Sequence, residues 1–342
     1  MNKVIIATVL SGFISTQAGA ANWEALPSTA PAPADNPTTA AKVELGKMLY
    51  MDPRLSSTGT VSCNSCHNVM EGGDDSRPNS MGVNGQTGGR SAPTVWNAAF
   101  YSVQFWDGRA NLLEDQAKGP ITNPIEMGMK DHDQAMHVVK TIPGYEAYFE
   151  KAFGKNSMNI VNAAKAIAAF ERTLITPNSA YDRFVKGDKK AMTEQQQKGM
   201  NKFAELGCNG CHSGAAFNGP KMEIGTGFFQ KFPTFADNAY VGKYKLMDDK
   251  GRGEVTGNAA DNNMFRVPTL RNITDTAPYF HNGSVKTLDD AVRVMAKTQL
   301  NKDLSKQDVS DIVAFLGALT GEYPEITMPR LPASTGSTVI AE

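Results

Sequence analysis

The chain has 342 residues, with 34 basic and 35 acidic side chains, 41% hydrophobic residues and 4 cysteines. Near-balanced charge excludes a protein built around nucleic acid or an anionic membrane surface. The length accommodates two domains, and the apolar content is enough to give each a core.

In chain order, the first twenty residues read as a secretory signal. Lys3 supplies the charged start, Val4 to Ile14 the apolar run, and Ala18-Gly19-Ala20 an A-x-A cleavage site. The run is too short to cross a bilayer, which takes about 20 apolar residues. No later stretch approaches that length, so the mature chain is expected to be soluble, without a membrane span and periplasmic. Residues 21–36, proline-rich from Pro27 onward, are expected to form an extended arm. Thr39 to Met51 is a helix by the spacing of Val43, Met48 and Leu49.

Next comes Cys63-Asn64-Ser65-Cys66-His67, matched later by Cys208-Asn209-Gly210-Cys211-His212. Cys-x-x-Cys also occurs in zinc sites, redox pairs and disulfides. A histidine directly after both pairs, with every cysteine used, is instead the attachment pattern of c-type haem. The thiols form thioethers, and the adjacent histidine gives its nitrogen to iron. Two covalent haem c groups per chain are therefore expected. Because that attachment occurs outside the bacterial cytoplasm, it agrees with the signal.

An internal repeat follows. Ala92-Pro93-Thr94-Val95-Trp96-Asn97 matches Val267-Pro268-Thr269-Leu270-Arg271-Asn272. At the same offset Phe105-Trp106-Asp107-Gly108 matches Phe280-His281-Asn282-Gly283, and Leu113-Glu114-Asp115 matches Leu288-Asp289-Asp290. The economical reading is a duplicated cytochrome domain: residues 37–180 and 181–325, followed by a surface tail at 326–342. The second half carries roughly thirty extra residues within Asn218 to Asn263, read as a long functional or partner-facing loop. Elsewhere Asn159 to Ile175 is the strongest helix. Capping patterns at Thr193…Gln196, Thr287…Asp290 and Ser305…Asp308 open three more. Alternating strand patterns are nearly absent. The fold class is mainly α, two cytochrome c-like haem domains with long loops.

The sixth iron ligands decide the function, because Met or His there makes an electron-transfer haem. Met295 lies on the helix opened by Thr287, where a methionine packs in a core as readily as it binds iron. Its repeat position in the first half is Pro120, which cannot bind iron. Met81, Met127 and Met129 lie nearby but off the repeated position, and His132 and His137 sit on a polar, surface-type helix. The first haem is thus expected to have an open distal side, where a small oxidant binds. Splitting peroxide there needs one group to accept and return a proton. Glu126, on the Pro-constrained loop after Pro120, fits that role. Glu114 and Asp115 have acidic counterparts in the second half, which favours helix N-terminal charge.

These segments, with Gln104 to Ala110, Gln116 to Pro120, Glu126-Met127 and Ala277 to Gly283, resemble the bacterial dihaem cytochrome c peroxidases over roughly residues 37–330. The resemblance implies a low-potential, peroxidatic first haem on His67, with Gln116 and Glu126 as distal polar residues. It implies a high-potential second haem on His212 and Met295, with His281 close to it. Trp106 would lie between the haems and assist electron transfer. It further implies a calcium ion held by Ser91 and the carbonyls of Thr276 and Pro278, although many members have asparagine at the Ser91 position. Hydrogen peroxide would be the substrate, a small cytochrome c or a blue-copper protein (cupredoxin) the electron donor, and a homodimer the usual assembly. One departure matters. Many members carry a blocking histidine where this chain has Val83, so activity without reductive activation is expected. Two rivals remain: a dihaem oxidase of the methylamine-utilisation type, which has tyrosine where Met295 stands, and a purely electron-transferring dihaem cytochrome.

Overall fold

The computed structural model describes residues 23–339. The signal sequence lies outside the described residues. Among those described, the chain is mainly helical, with one two-stranded sheet, and no helix is long and apolar enough to cross a membrane.

The first core gathers around two helices, Ala40–Met51 and Ile160–Glu171. Each opens on a polar cap: Thr39 accepts from the Lys42 amide and Asn159 from the Asn162 amide. The two pack so closely that a methyl group on Gly46 would run into the Ala166 carbonyl. The second core repeats the device. Glu194–Leu206 packs on Lys306–Gly317, and a methyl group on Gly199 would strike the Asp311 carbonyl. Reciprocal capping boxes at Thr193/Gln196 and Ser305/Asp308 open both helices as their sequence signals predict.

One expectation needs revision, and two segments gain anchors that their patterns did not show. The helix after Asn159 ends at Glu171 rather than Ile175, because Thr173, Ile175 and Thr176 are β-branched and Pro177 disfavours helical backbone before it. Thr176 instead turns inward, where its Oγ1 accepts from both Asn97 and Asn272 at 2.9 Å. The arm is extended but anchored: Leu26 is buried, its amide bonds to Asp182 Oδ1 at 2.9 Å, and Trp23 packs on Tyr181 and Phe315. The insert is docked on the rest of the chain. Its strand Phe229–Lys231 pairs antiparallel with Met264–Arg266, and Arg90 ion-pairs with Asp249 and Glu254 as well as with Asp107. The tail runs without helix along the first core, where Lys47 bonds the Thr327 carbonyl.

The repeated blocks have matching geometry. Thr94 Oγ1 donates to Gly72 O and Thr269 Oγ1 to Ala216 O, each at 2.6 Å. Asn97 and Asn272 are both left-handed, each opening a short 3-10 turn.

Gly46→Val should lower the unfolding free energy by about 2 kcal/mol, the usual scale for overpacking. Urea unfolding of the haem-loaded protein checks it, and an unchanged midpoint would contradict the close crossing.

Candidate functional site

Cys63–Cys66 is a single helical turn closed by reciprocal bonds between Ser62 and Ser65. His67 follows it, and Cys63, Cys66 and His67 line one cavity. Cys208–Gly210 makes a comparable turn, and Cys208, Cys211 and His212 line a second.

Both imidazoles are buried, which pushes their pKa values down and keeps them neutral. His67 Nδ1 lies 2.9 Å from Pro93 O and His212 Nδ1 lies 3.1 Å from Phe217 O. Each Nδ1–H therefore donates to a carbonyl, and each Nε2 keeps its lone pair for a metal. Burial also pushes the Cys63 thiol up to about 12, and the Cys66 and Cys208 thiols up to about 11. Zinc would need thiolates, which these surroundings disfavour. A thioether is uncharged and suits them. The residues fit haem c.

Gln116, Pro120, Glu126 and Met127 line the same cavity. Burial raises the Glu126 pKa, and the positive charge of Arg109 partly opposes the rise. Val83 is in the first core, not in the cavity wall; its amide donates to Glu126 O at 2.9 Å. Met129 packs in the core and Met81 is exposed. His132 is half-buried and His137 exposed, on the surface helix His132–Lys140. Glu114 is structural: it ion-pairs with buried Arg172 at 2.8 Å.

The second cavity brings Met295 and His281 to His212, along with Ser91, Thr276 and Pro278. Burial pushes the His281 pKa down to about 4, with Asp249 opposing, so it is neutral. Its ring stacks on Phe265 at 4.3 Å, and its Nε2 has no hydrogen-bond partner. Trp106 faces both cavities, held by an indole N–H bond of 2.9 Å to Ser91 O.

Four further residues escaped the sequence reading. Tyr101 and Arg266 line both cavities, with the guanidinium 3.4 Å over the phenol ring. Arg266 is 3% exposed, and its Nη1 has no hydrogen-bond partner. Its repeat position is Ser91, so a charge in one half only was the available signal. Glu171 lines the first cavity with Oε2 unpartnered, and burial raises its carboxyl to about 8. Asp74, in the second cavity wall, carries a buried and unpartnered Oδ1. Nothing in the sequence marks either acid.

Two cavities, each with a cysteine pair and a neutral histidine offering one ring nitrogen, define a dihaem c-type redox protein. The family model for di-haem cytochrome c peroxidase matches residues 40–190. A cytochrome c551 peroxidase of Nitrosomonas europaea is 46% identical over 308 residues, 90% of this chain and 88% of its own. That of Pseudomonas aeruginosa is 45% identical, over 88% of this chain and 85% of its own. The methylamine utilization protein MauG of Methylorubrum extorquens is more distant at 33%, over 90% of this chain and 86% of its own. Among solved structures, a MauG-like protein associated with microbial copper homeostasis superposes with a TM-score of 0.77. It is 29% identical, and the match covers 89% of this chain and 96% of that one. The chain belongs to the di-haem cytochrome c peroxidase family and is an oxidoreductase of the peroxidase class. Its cofactors are two haem c groups.

Replacing Cys63 and Cys66 by alanine together should leave one covalent haem per chain instead of two. A pyridine haemochrome assay checks this, and retention of two would contradict the assignment.

Proposed function

We propose that this chain reduces hydrogen peroxide to water at the first cavity with electrons received at the second, and that it does so without prior reduction. The observation that carries this reading is the inequality of the two cavities. Met295 lines the cavity of His212, whereas the cavity of His67 has Pro120 at the repeat position of Met295, with Gln116, Glu126 and Met127 in the same lining. Haem bound on Cys63, Cys66 and His67 would supply the electrons that split the O–O bond.

Glu126 takes a proton from peroxide held in the cavity and returns it to the departing oxygen. Burial raises its pKa, which makes it a better proton acceptor than a solvated carboxylate. Gln116 orients peroxide with its amide. The net reaction takes up two electrons and two protons per peroxide and yields two waters. Trp106 carries the electron path between the cavities, and buried Arg266, which lines both, would offer its charge to haem carboxylates. Cys208, Cys211, His212 and Met295 hold the high-potential haem, with His281 packed beside it. Calcium would sit with Ser91 and the carbonyls of Thr276 and Pro278, whose residues share one cavity wall.

The matching geometry of the repeated blocks supports a duplication, with domains at 37–180 and 181–325. The signal sequence and the resemblance support a periplasmic homodimer. They also support a small cytochrome c or cupredoxin as donor. Methionine rather than tyrosine at 295 argues against the oxidase reading, and the open first cavity argues against electron transfer alone.

Two measurements test this. EPR of the fully oxidised protein should show a high-spin ferric signal, with peroxide turnover before any reduction. A low-spin first haem would overturn that and point to Met127 as its ligand. Glu126→Gln should lower kcat/KM at least about a hundredfold. In the wild type kcat/KM should fall as pH drops through the raised Glu126 pKa, because the base must start deprotonated. The variant should lose that limb, and an unchanged profile would remove Glu126 from the mechanism.

A further inference from the structure

We propose that Asp74 is the anionic ligand of the cation site at the joint between the two cavities. The inference rests on the calcium reading above and assigns its charge-bearing residue.

Asp74 is 2% exposed, and its Oδ1 has no hydrogen-bond partner. No lysine or arginine reaches it: Arg90, on the neighbouring segment, is committed to Asp107, Asp249 and Glu254. The charges that act on it, Asp75 and Glu71, are acidic and repel it. Backbone amides of Asp74 and Ser76 act on the carboxylate, but an oxygen left unpaired out of water with no counter-charge is costly to fold around. A bound cation removes that cost.

The surroundings supply the remaining oxygens. A methyl group on Gly72 would collide with both Asp74 Oδ1 and the Asp275 carbonyl, so these oxygens crowd one spot directly before Thr276. Thr94 pins this turn through a 2.6 Å bond to Gly72 O. Ser91 reaches its far end through a 3.3 Å bond from Oγ to Arg77 O. Asp74, Ser91, Thr276 and Pro278 line one cavity. Among the described residues no three acidic, histidine or cysteine side chains converge as a metal cluster. The cation must then be one that accepts carbonyl and hydroxyl oxygens around a single carboxylate. That is calcium's chemistry rather than that of a soft transition metal.

The test uses the haem-loaded enzyme stripped with EGTA and titrated with calcium chloride by calorimetry, together with thermal unfolding in each state. Wild type should bind calcium and gain Tm. Asp74→Asn should bind at least about tenfold more weakly, because ligand charge sets affinity in such sites. In EGTA the variant should be as stable as wild type or more so, since it buries no uncompensated charge. Equal calcium affinity in both proteins would overturn the role of Asp74 and leave the calcium site standing. No calcium binding by wild type would overturn the calcium reading, and this proposal with it. A variant with lower Tm in EGTA as well would make Asp74 a structural residue and overturn the proposal.

Discussion

The hydrogen bond from His67 Nδ1 to the Pro93 carbonyl fixes more than one ring. Pro93 belongs to the segment Ser91–Thr94, which walls both cavities. The Ser91 amide donates to His281 O at 2.7 Å, and its carbonyl receives the Trp106 indole. One short stretch of backbone therefore sets the first histidine's tautomer, holds the aromatic bridge and ties down a histidine of the second cavity. Metal-binding imidazoles depend on such outer contacts for orientation and basicity. Here the contact that orients one ligand also builds the partition between two redox sites.

The same frame explains why two similar halves diverge chemically. Both cavities contain a cysteine pair and a buried neutral imidazole. Their remaining linings differ: one includes Met295 on the helix Leu288–Leu300, the other Gln116, Pro120, Glu126 and Met127. Because Val83 lies in the core and bonds through its amide to the Glu126 carbonyl, that loop positions the acid instead of filling the cavity. A soft sixth ligand favours electron storage, while an open site beside a carboxyl favours proton-coupled chemistry.

How much was legible in the sequence follows from where each signal resides. The pentads, the repeat and the caps at Thr39, Asn159, Thr193, Thr287 and Ser305 are local patterns, and the structure has them in place. The repeat also aligned Pro120 with Met295, and the two residues line different cavities. Tyr101, Arg266, Asp74 and Glu171 were not, since their importance arises only when distant segments meet. Trp23 and Leu26 show the same limit. The proline-rich pattern marks an extended arm, but only the fold shows it packed on partners 150 residues or more away in sequence.

Those hidden residues share a physical trait. The buried Arg266 guanidinium has no hydrogen-bond partner at Nη1 among the described residues. Glu171 solves its burial by staying protonated, so it needs no counter-charge. Asp74 has neither a basic partner nor a hydrogen bond at Oδ1. Natural cores rarely keep such groups without compensation, because an unpaired buried charge costs more than a mispacked methyl. A buried cation at the joint of two haem cavities and a buried anion a few residues away thus mark where the polypeptide is electrostatically unfinished. Haem carboxylates would complete the first and a divalent cation the second. Each completion stabilises the fold by binding the native state alone. The joint between the cavities is held together by what the chain binds as well as by what it packs.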